Sequence, residues 1–512
     1  MCGPGAGPSD QLIKKTQRSR RPKPESGSER LRQEDLPGRS GRRMHAPAVW
    51  TGSKKRQRFW KVERKLDLSS IRRSPTRILL AGYLTVILIG TVLLMLPVSS
   101  REGIATPVTD SFFTAVSAAC VTGLVRFDTY THWSLFGQLV LLFLIQVGGL
   151  GFVTILLSAH TFSGQKIGLS SRILMREAVA APQVGGIVRM TRFILKGTLL
   201  IEGLGAAALA LYFCPRLGIL KGLYYSVFHS ISAFCNAGFD LMGAEAPFSS
   251  LTGAAGNWYL NVVIMALIVV GGLGFFVWLD LLDARFRFKN LKLHSKIVVF
   301  MTAILLAGGA LGLFFLEFSG EAYAGMSLGE RILASLFQSV TARTAGFNTV
   351  DLASLTEGSI FLMICLMVVG GSTGSTAGGM KTTTAAVLIL SIFSTFRQKK
   401  NVECFKRRLE DGITRTASCI FMMYLILIVL STLVLSAAEG IPVLTAMFET
   451  TSAVATVGVT LGITPEVSMV SKLVLAFLMI FGRAGSLTML LAFASDRPPV
   501  ASKKPLEKIQ VG

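Results

Sequence analysis

The sequence predicts an all-α membrane protein of four similar units, with eight transmembrane helices and four re-entrant loops. Three observations carry that prediction. Of the 512 residues, 51% are hydrophobic and 16% charged, and the mean hydropathy is +0.57, too apolar for a water-soluble chain. One short motif returns four times at a nearly constant interval. Each copy lies between two apolar runs long enough to cross a bilayer, which takes ~20 residues.

The motif is Phe-x3-Ser-Ala-x4-Gly. It runs from Phe113 to Gly123, from Phe228 to Gly238 and from Phe448 to Gly458. The third copy, Phe337 to Gly346, has threonine for serine and is one residue shorter. The glycines are 115, 108 and 112 residues apart, too far for a solenoid repeat and suited to a unit of several membrane segments. About ten residues of Ser, Ala, Phe and Thr make a helix too short to span. The glycine then allows backbone geometry closed to other residues. Non-helical backbone at membrane depth survives only where protein buries it or where it lines a watery path. Carbonyls beside such a glycine can replace the hydration shell of an ion. The candidate ion-lining residues are therefore Val121, Thr122 and Gly123; Asn236, Ala237 and Gly238; Thr344, Ala345 and Gly346; and Thr456, Val457 and Gly458. Four hairpins that only pack are the plainer alternative, and four copies in step weigh against it.

In chain order, residues 1–75 come first, with 20 Lys/Arg against 7 Asp/Glu. This basic, Pro/Gly/Ser-rich arm reads as a disordered cytoplasmic segment near anionic lipid, with no nucleic acid expected. Its deletion through residue 60 is expected to leave folding and basal transport intact. No apolar signal region follows Met1, and Met44 is an alternative start. Unit 1 covers 76–162, with spans at 76–97 and 132–161. Unit 2 covers 190–284, with spans at 191–214 and 258–282. Unit 3 covers 295–395, with spans at 296–318 and 359–393. Unit 4 covers 412–495, with spans at 414–436 and 470–494, and a tail follows at 496–512. The seven cysteines form no paired extracellular framework and read as small packing residues.

Orientation follows from the cations of the short loops. Linkers between units are basic: Lys166, Arg172, Arg176 and Arg189, then Arg285, Arg287, Lys289 and Lys292, then Arg397, Lys399, Lys400 and Lys406–Arg408. The tail adds Lys503, Lys504 and Lys508. Loops beside the motifs carry Asp240, Glu245, Glu321, Asp351, Glu357, Glu439 and Glu466. Both termini are therefore expected in the cytoplasm and all four glycine loops outside, the one arrangement in which four loops can meet on an axis.

The second spans carry a further echo. Val147–Phe152 and Val270–Phe275 are both Val-Gly-Gly-Leu-Gly-Phe. Close helix packing suffices to explain those glycines. The third unit differs, because residues 370–379, Gly-Gly-Ser-Thr-Gly-Ser-Thr-Ala-Gly-Gly, hold five glycines in ten positions. Each interior glycine costs a helix about 1 kcal/mol relative to alanine. Gly370, Gly371, Ser372, Thr373, Gly374, Ser375, Thr376, Ala377, Gly378 and Gly379 are expected to unwind into a polar loop beside a watery cavity. Lys381 follows, and Arg483 lies inside the last apolar span. An arginine there faces the interior and marks an ion path.

The four motif loops, the stretch Gly370–Thr382 and Gly482-Arg-Ala-Gly485 together resemble the Trk/Ktr/HKT superfamily of potassium transporters, closest to the membrane subunit of the Ktr type. The resemblance covers residues 76–495. It implies four M1–pore helix–M2 repeats around a pseudo-fourfold axis, one pore per chain and a homodimer in the cell membrane. It makes 370–382 an intramembrane gate and Arg483 its basic partner. It implies potassium as the transported ion, stimulation by sodium, no cofactor held by this chain and a cytosolic ring of nucleotide-binding regulatory proteins. Relatives selective for sodium often carry serine at the first motif glycine, whereas all four positions here are glycine. The family usually has proline where Ser486 stands, and the basic arm is longer than in Ktr subunits.

Two other classes compete. A potassium-translocating subunit of an ATP-driven pump would need a separate ATPase. A secondary transporter would show inverted or paired repeats, against four same-sense loops. A sodium-permeable cation transporter is the nearest alternative within the family. An enzyme is not expected, since His45, His132, His160, His229 and His294 are scattered and no nucleophile or metal spacing stands out.

Overall fold

Each first apolar run becomes one long helix, and each motif a shorter one behind it. Unit 1 contributes α1 (Pro75–Met95), α2 (Val108–Cys120) and α3 (Leu135–Leu150). A linker helix, α4 (Leu169–Ala178), precedes α5 (Ile187–Leu217), α6 (Ile219–Cys235), α7 (Trp258–Leu273) and α8 (Phe275–Asp283) of unit 2. Unit 3 holds α9 (Leu293–Leu316), α10 (Leu328–Thr341), α11 (Glu357–Val368) and α12 (Thr382–Phe396). A hairpin of β1 (Glu403–Cys404) and β2 (Arg407–Arg408) leads to α13 (Ile413–Glu439), α14 (Val443–Ala455) and α15 (Met469–Ala484). This computed structural model describes residues 75–155, 168–179, 185–399, 401–485 and residue 507, all within the unit Leu66–Gly512. The expectations for residues 1–74, Ser486 and nearly all of the tail lie outside the described residues.

The first helix of every unit is built for lipid. In α1, α5, α9 and α13 only 22–33% of the most apolar window is buried. Leu88, Leu199, Leu211 and Phe315 stand exposed on them, as an apolar solvent requires. The motif helices are the opposite. Phe113, Phe228, Phe337 and Phe448 are at most 1% exposed and anchor the core. These helices run 13 to 17 residues, because the motif marks only their C-terminal part.

The second helix of every unit starts with a side-chain cap. Ser134, Asn257, Thr356 and Ser468 accept from the backbone N–H of Gly137, Leu260, Ser359 and Ser471. Each then stops or breaks early. Among the described residues α1, α5, α9 and α13 are long and apolar enough to cross alone. The bent pair α7 and α8, at 92°, makes a fifth if counted as one span. The cause is backbone conformation. Gly151, Gly274 and Gly485 have φ of 81°, 96° and 85°, which a helix cannot continue through.

The Gly-Gly pairs of units 1 and 2 do pack closely, as expected. A Cβ on Gly149 would stand 2.5 Å from Cys235 Sγ, and one on Gly271 2.8 Å from Thr376 Oγ1. Packing is not the whole account, because the next glycine in each repeat, Gly151 or Gly274, also ends the helix.

Candidate functional site

The four motif helices end in the same way. Val121, Asn236 and Thr456 take left-handed φ of 56°, 60° and 53° directly after the helix, and Thr344 takes 72°. Three of these four are β-branched, for which positive φ is a real outlier. Gly123, Gly238, Gly346 and Gly458 follow two residues later with φ of 97°, 70°, 84° and 91°. Such departures from extended backbone can turn successive carbonyls toward one side, as an ion path needs.

The four segments meet in a closed ring. A Cβ on Gly123 would stand 2.6 Å from Ala237 O, and one on Gly238 2.6 Å from the Gly346 Cα. One on Gly346 would stand 2.9 Å from Val457 O, and one on Gly458 would overlap Thr122 O. Contacts thus run from unit 1 to 2, 2 to 3, 3 to 4 and back to 1, and all twelve residues singled out in the sequence lie in these four segments. All four glycines line one cavity of about 350 Å³, together with Asp128, Asp240 and Asp351. Burial there, with Asp128 nearby, pushes the Asp240 carboxyl up to about 7.

The motif hydroxyl, to which the sequence alone assigns no role, holds the glycine segment in place. Ser117 Oγ accepts from Gly123 N at 3.1 Å, and Ser452 Oγ from Gly458 N at 3.1 Å. Their carbonyls accept from Thr122 N and Val457 N at 2.8 Å. Ser232 Oγ instead donates to Phe239 O at 2.6 Å, and Thr341 Oγ1 donates to Phe347 O. In every unit the hydroxyl thus ties the glycine segment to its own helix. Its fixed place in all four copies was the available signal.

Residues 370–381 separate α11 from α12 as non-helical backbone, lying against the first residues of the third and fourth ring segments. A Cβ on Gly370 would stand 3.3 Å from Thr344 Cγ2, and one on Gly378 would overlap Thr456 Oγ1. The loop closes on itself through Gly370 N to Met380 O at 2.8 Å, with Ser372 and Thr382 hydroxyls 3.0 Å apart. The loop is also bonded to unit 2. Ser372 N donates to Gly272 O at 3.0 Å, Thr376 Oγ1 to Phe234 O at 3.0 Å and Phe275 N to Gly374 O at 2.8 Å. The broken helix at Gly274 frees Gly272 O and Phe275 N for these bonds, and the end of α6 offers Phe234 O.

Arg483 and Lys381 both reach the loop. Arg483 donates to Thr376 O through Nη1, and to Gly148 O and Gly149 O through Nη2. One guanidinium from unit 4 thus bridges the loop of unit 3 and the helix end of unit 1. Lys381 Nζ donates to Ala377 O at 2.9 Å. Thr373, Gly374, Ser375, Ala377, Lys381 and Arg483 border a second cavity of about 230 Å³, which none of the twelve ring residues lines. Glu177 and Val179, at the end of the linker helix α4, border it too. The sequence reading treated that linker only as a source of positive charge.

Comparison with known proteins places this architecture. The family model for cation transport protein, TrkH, matches residues 58–503. The chain is 39% identical over 447 residues to the potassium/sodium uptake protein NtpJ of Enterococcus hirae, covering 86% of this chain and 98% of that one. It is 39% identical over 425 residues to Ktr system potassium uptake protein B of Bacillus subtilis, covering 83% and 94%. Among solved structures, the potassium transporter TrkH from Vibrio parahaemolyticus shares the fold with a TM-score of 0.63 at 20% identity, over 81% of this chain and 85% of that one. The family model over most of the chain and relatives at 39% identity agree with four glycine segments in a ring: the protein belongs to the TrkH family of cation transport proteins.

Proposed function

We propose that this protein carries potassium into the cell through the glycine ring, under control of the 370–381 loop. The observation that carries the reading is the ring itself. Four segments with left-handed backbone from four motif copies, each tied down by a hydroxyl, meet with their glycines against the backbone of the next segment and together border one cavity. Dehydrated potassium can be coordinated there by carbonyls from all four sides. An inside-negative potential supplies ~2.3 kcal/mol per charge per 100 mV, so no pump is required. The loop and Arg483 border the second cavity. The guanidinium's charge repels a cation leaving the ring, and its bonds favour a closed loop.

The finer assignments belong to the same proposal: four M1–pore helix–M2 repeats with the boundaries above, both termini cytoplasmic, a homodimer in the cell membrane, and a separate cytosolic nucleotide-binding regulator. Relatives named for the Ktr system support a multi-component assembly. A second reading, sodium permeation alongside potassium, is favoured by the name of the relative NtpJ. Glycine at all four ring positions favours potassium. Growth of a potassium-uptake-deficient bacterium on low potassium, with and without a regulatory partner, tests the function. Rescue is expected, and failure with every partner tried removes the proposal. Sodium and potassium flux in liposomes separates the two readings.

A further inference from the structure

The residue after the motif phenylalanine differs in every copy: Thr114, His229, Gln338 and Glu449. All four are at most 1% exposed. In unit 4 the Glu449 carboxylate reaches the segment beyond Gly458. Oε1 accepts from Thr460 Oγ1 at 2.5 Å and from Leu461 N at 2.9 Å, and Oε2 accepts from Thr464 Oγ1 at 2.7 Å. Among the described residues no cation pairs with it. In unit 2, His229 Nδ1 is 2.8 Å from Tyr225 O, which makes it the protonated nitrogen. Nε2 is then free to accept from Leu241 N at 3.3 Å. Leu241 and Leu461 are both the third residue after the ring glycine, so the two braces are equivalent. Units 1 and 3 lack them. Neither polar atom of Gln338 has a partner, and Thr114 Oγ1 has none. With ring order 1-2-3-4, the braced segments face each other across the axis.

We propose that Glu449, with His229 opposite, is a positioning residue that determines ion specificity by fixing the outer wall of the glycine ring. Thr460 and Leu461 line the outer cavity beside Gly458, so the brace acts one residue layer behind the ion path. A wall held by three bonds cannot close inward around a smaller ion. One that is released can, and discrimination by size is lost. The charge has a separable effect, since an unpaired carboxylate near the mouth attracts any cation equally. This inference rests on the potassium-uptake reading.

The test uses the full chain in liposomes, with KM and maximal rate measured for potassium and for sodium. Glu449→Gln keeps the brace: its amide oxygen takes the Oε1 bonds and its NH2 donates to Thr464 Oγ1. It is expected to raise KM for both ions alike while leaving their ratio in place. Glu449→Ala removes brace and charge, and its potassium-over-sodium preference is expected to fall by roughly an order of magnitude. His229→Leu, which carries no charge change, is expected to lower the preference in the same direction. It also serves as the test should Glu449→Ala fail to incorporate. Gln338→Met, at the unbraced position, is expected to leave the ratio unchanged. An unaltered ratio in Glu449→Ala or His229→Leu overturns the inference, as does a lost ratio in Glu449→Gln. No uptake by the unmodified chain overturns the reading on which it rests.

Discussion

Lys472 Nζ lies 2.6 Å from Asp110 Oδ1 although 362 residues separate them. Asp110 sits in the first turn of α2, Lys472 near the start of α15, and both side chains are largely buried at 10% and 13% exposure. The pair fastens the last unit to the first and closes the ring of units covalently left open between its ends. Arg126 Nε stands at 4.0 Å from the same carboxylate oxygen, a weaker third partner.

Removing one member of that pair strands a charge. Lys472→Met is expected to destabilise the folded protein by roughly 3–5 kcal/mol, reduced by whatever Arg126 compensates. Asp110→Asn leaves two cations near a neutral amide and is expected to cost less, because both cations retain some access to water. Thermal unfolding in detergent measures this. Equal and negligible shifts for both variants would show the pair to be dispensable.

Gly123→Ser is expected to lower potassium preference over sodium. The position has φ of 97° and a Cβ would stand 2.6 Å from Ala237 O, so the substitution must displace a ring carbonyl. Left-handed geometry alone costs a non-glycine residue roughly 1–2 kcal/mol, enough for a several-fold change in an ion-binding ratio. Paired potassium and sodium uptake in the same vesicles gives the answer, and an unchanged ratio would count against the filter assignment.

Ser452→Ala should act on the ring without touching the ion path. It leaves the buried Gly458 N–H without its 3.1 Å acceptor, a loss of roughly 1–3 kcal/mol. Potassium preference is expected to fall less than in Gly123→Ser, with KM rising. Ser232→Ala loses a bond to the Phe239 carbonyl instead and should be milder, because a carbonyl tolerates a lost donor better than an N–H tolerates a lost acceptor.

Arg483→Ala is expected to raise flux in the absence of any regulatory partner while ion preference stays constant. It removes donors to Thr376 O, Gly148 O and Gly149 O at once, and with them the positive charge beside the proposed ion path. Arg483→Lys should fall between, since an ammonium keeps the charge but cannot span two segments as a fork. Shortening the 370–379 loop should mimic Arg483→Ala. Liposome flux with potassium and then sodium distinguishes the outcomes, and no change in any of the three variants removes the gate.

The membrane character, the four motif copies and the identity of the residues at their ends are legible in the chain alone. A recurring Phe-x3-Ser/Thr-Ala before a glycine is a local signal, and local backbone preference acts within a few residues. The chain also marks residues 370–379 as unable to stay helical, for the same local reason. What it could not determine was which groups meet. Val147–Phe152 and Val270–Phe275 read as packing surfaces, yet Gly151 and Gly274 also end their helices and free carbonyls at 148 and 149 for Arg483 and at 271 and 272 for the loop. Asp110 and Lys472, or Glu449 and Leu461, carry no mark of each other in the chain. Their pairing depends on how four units close into a ring, and a buried polar group finds its partner only in the tertiary structure that excludes water from both.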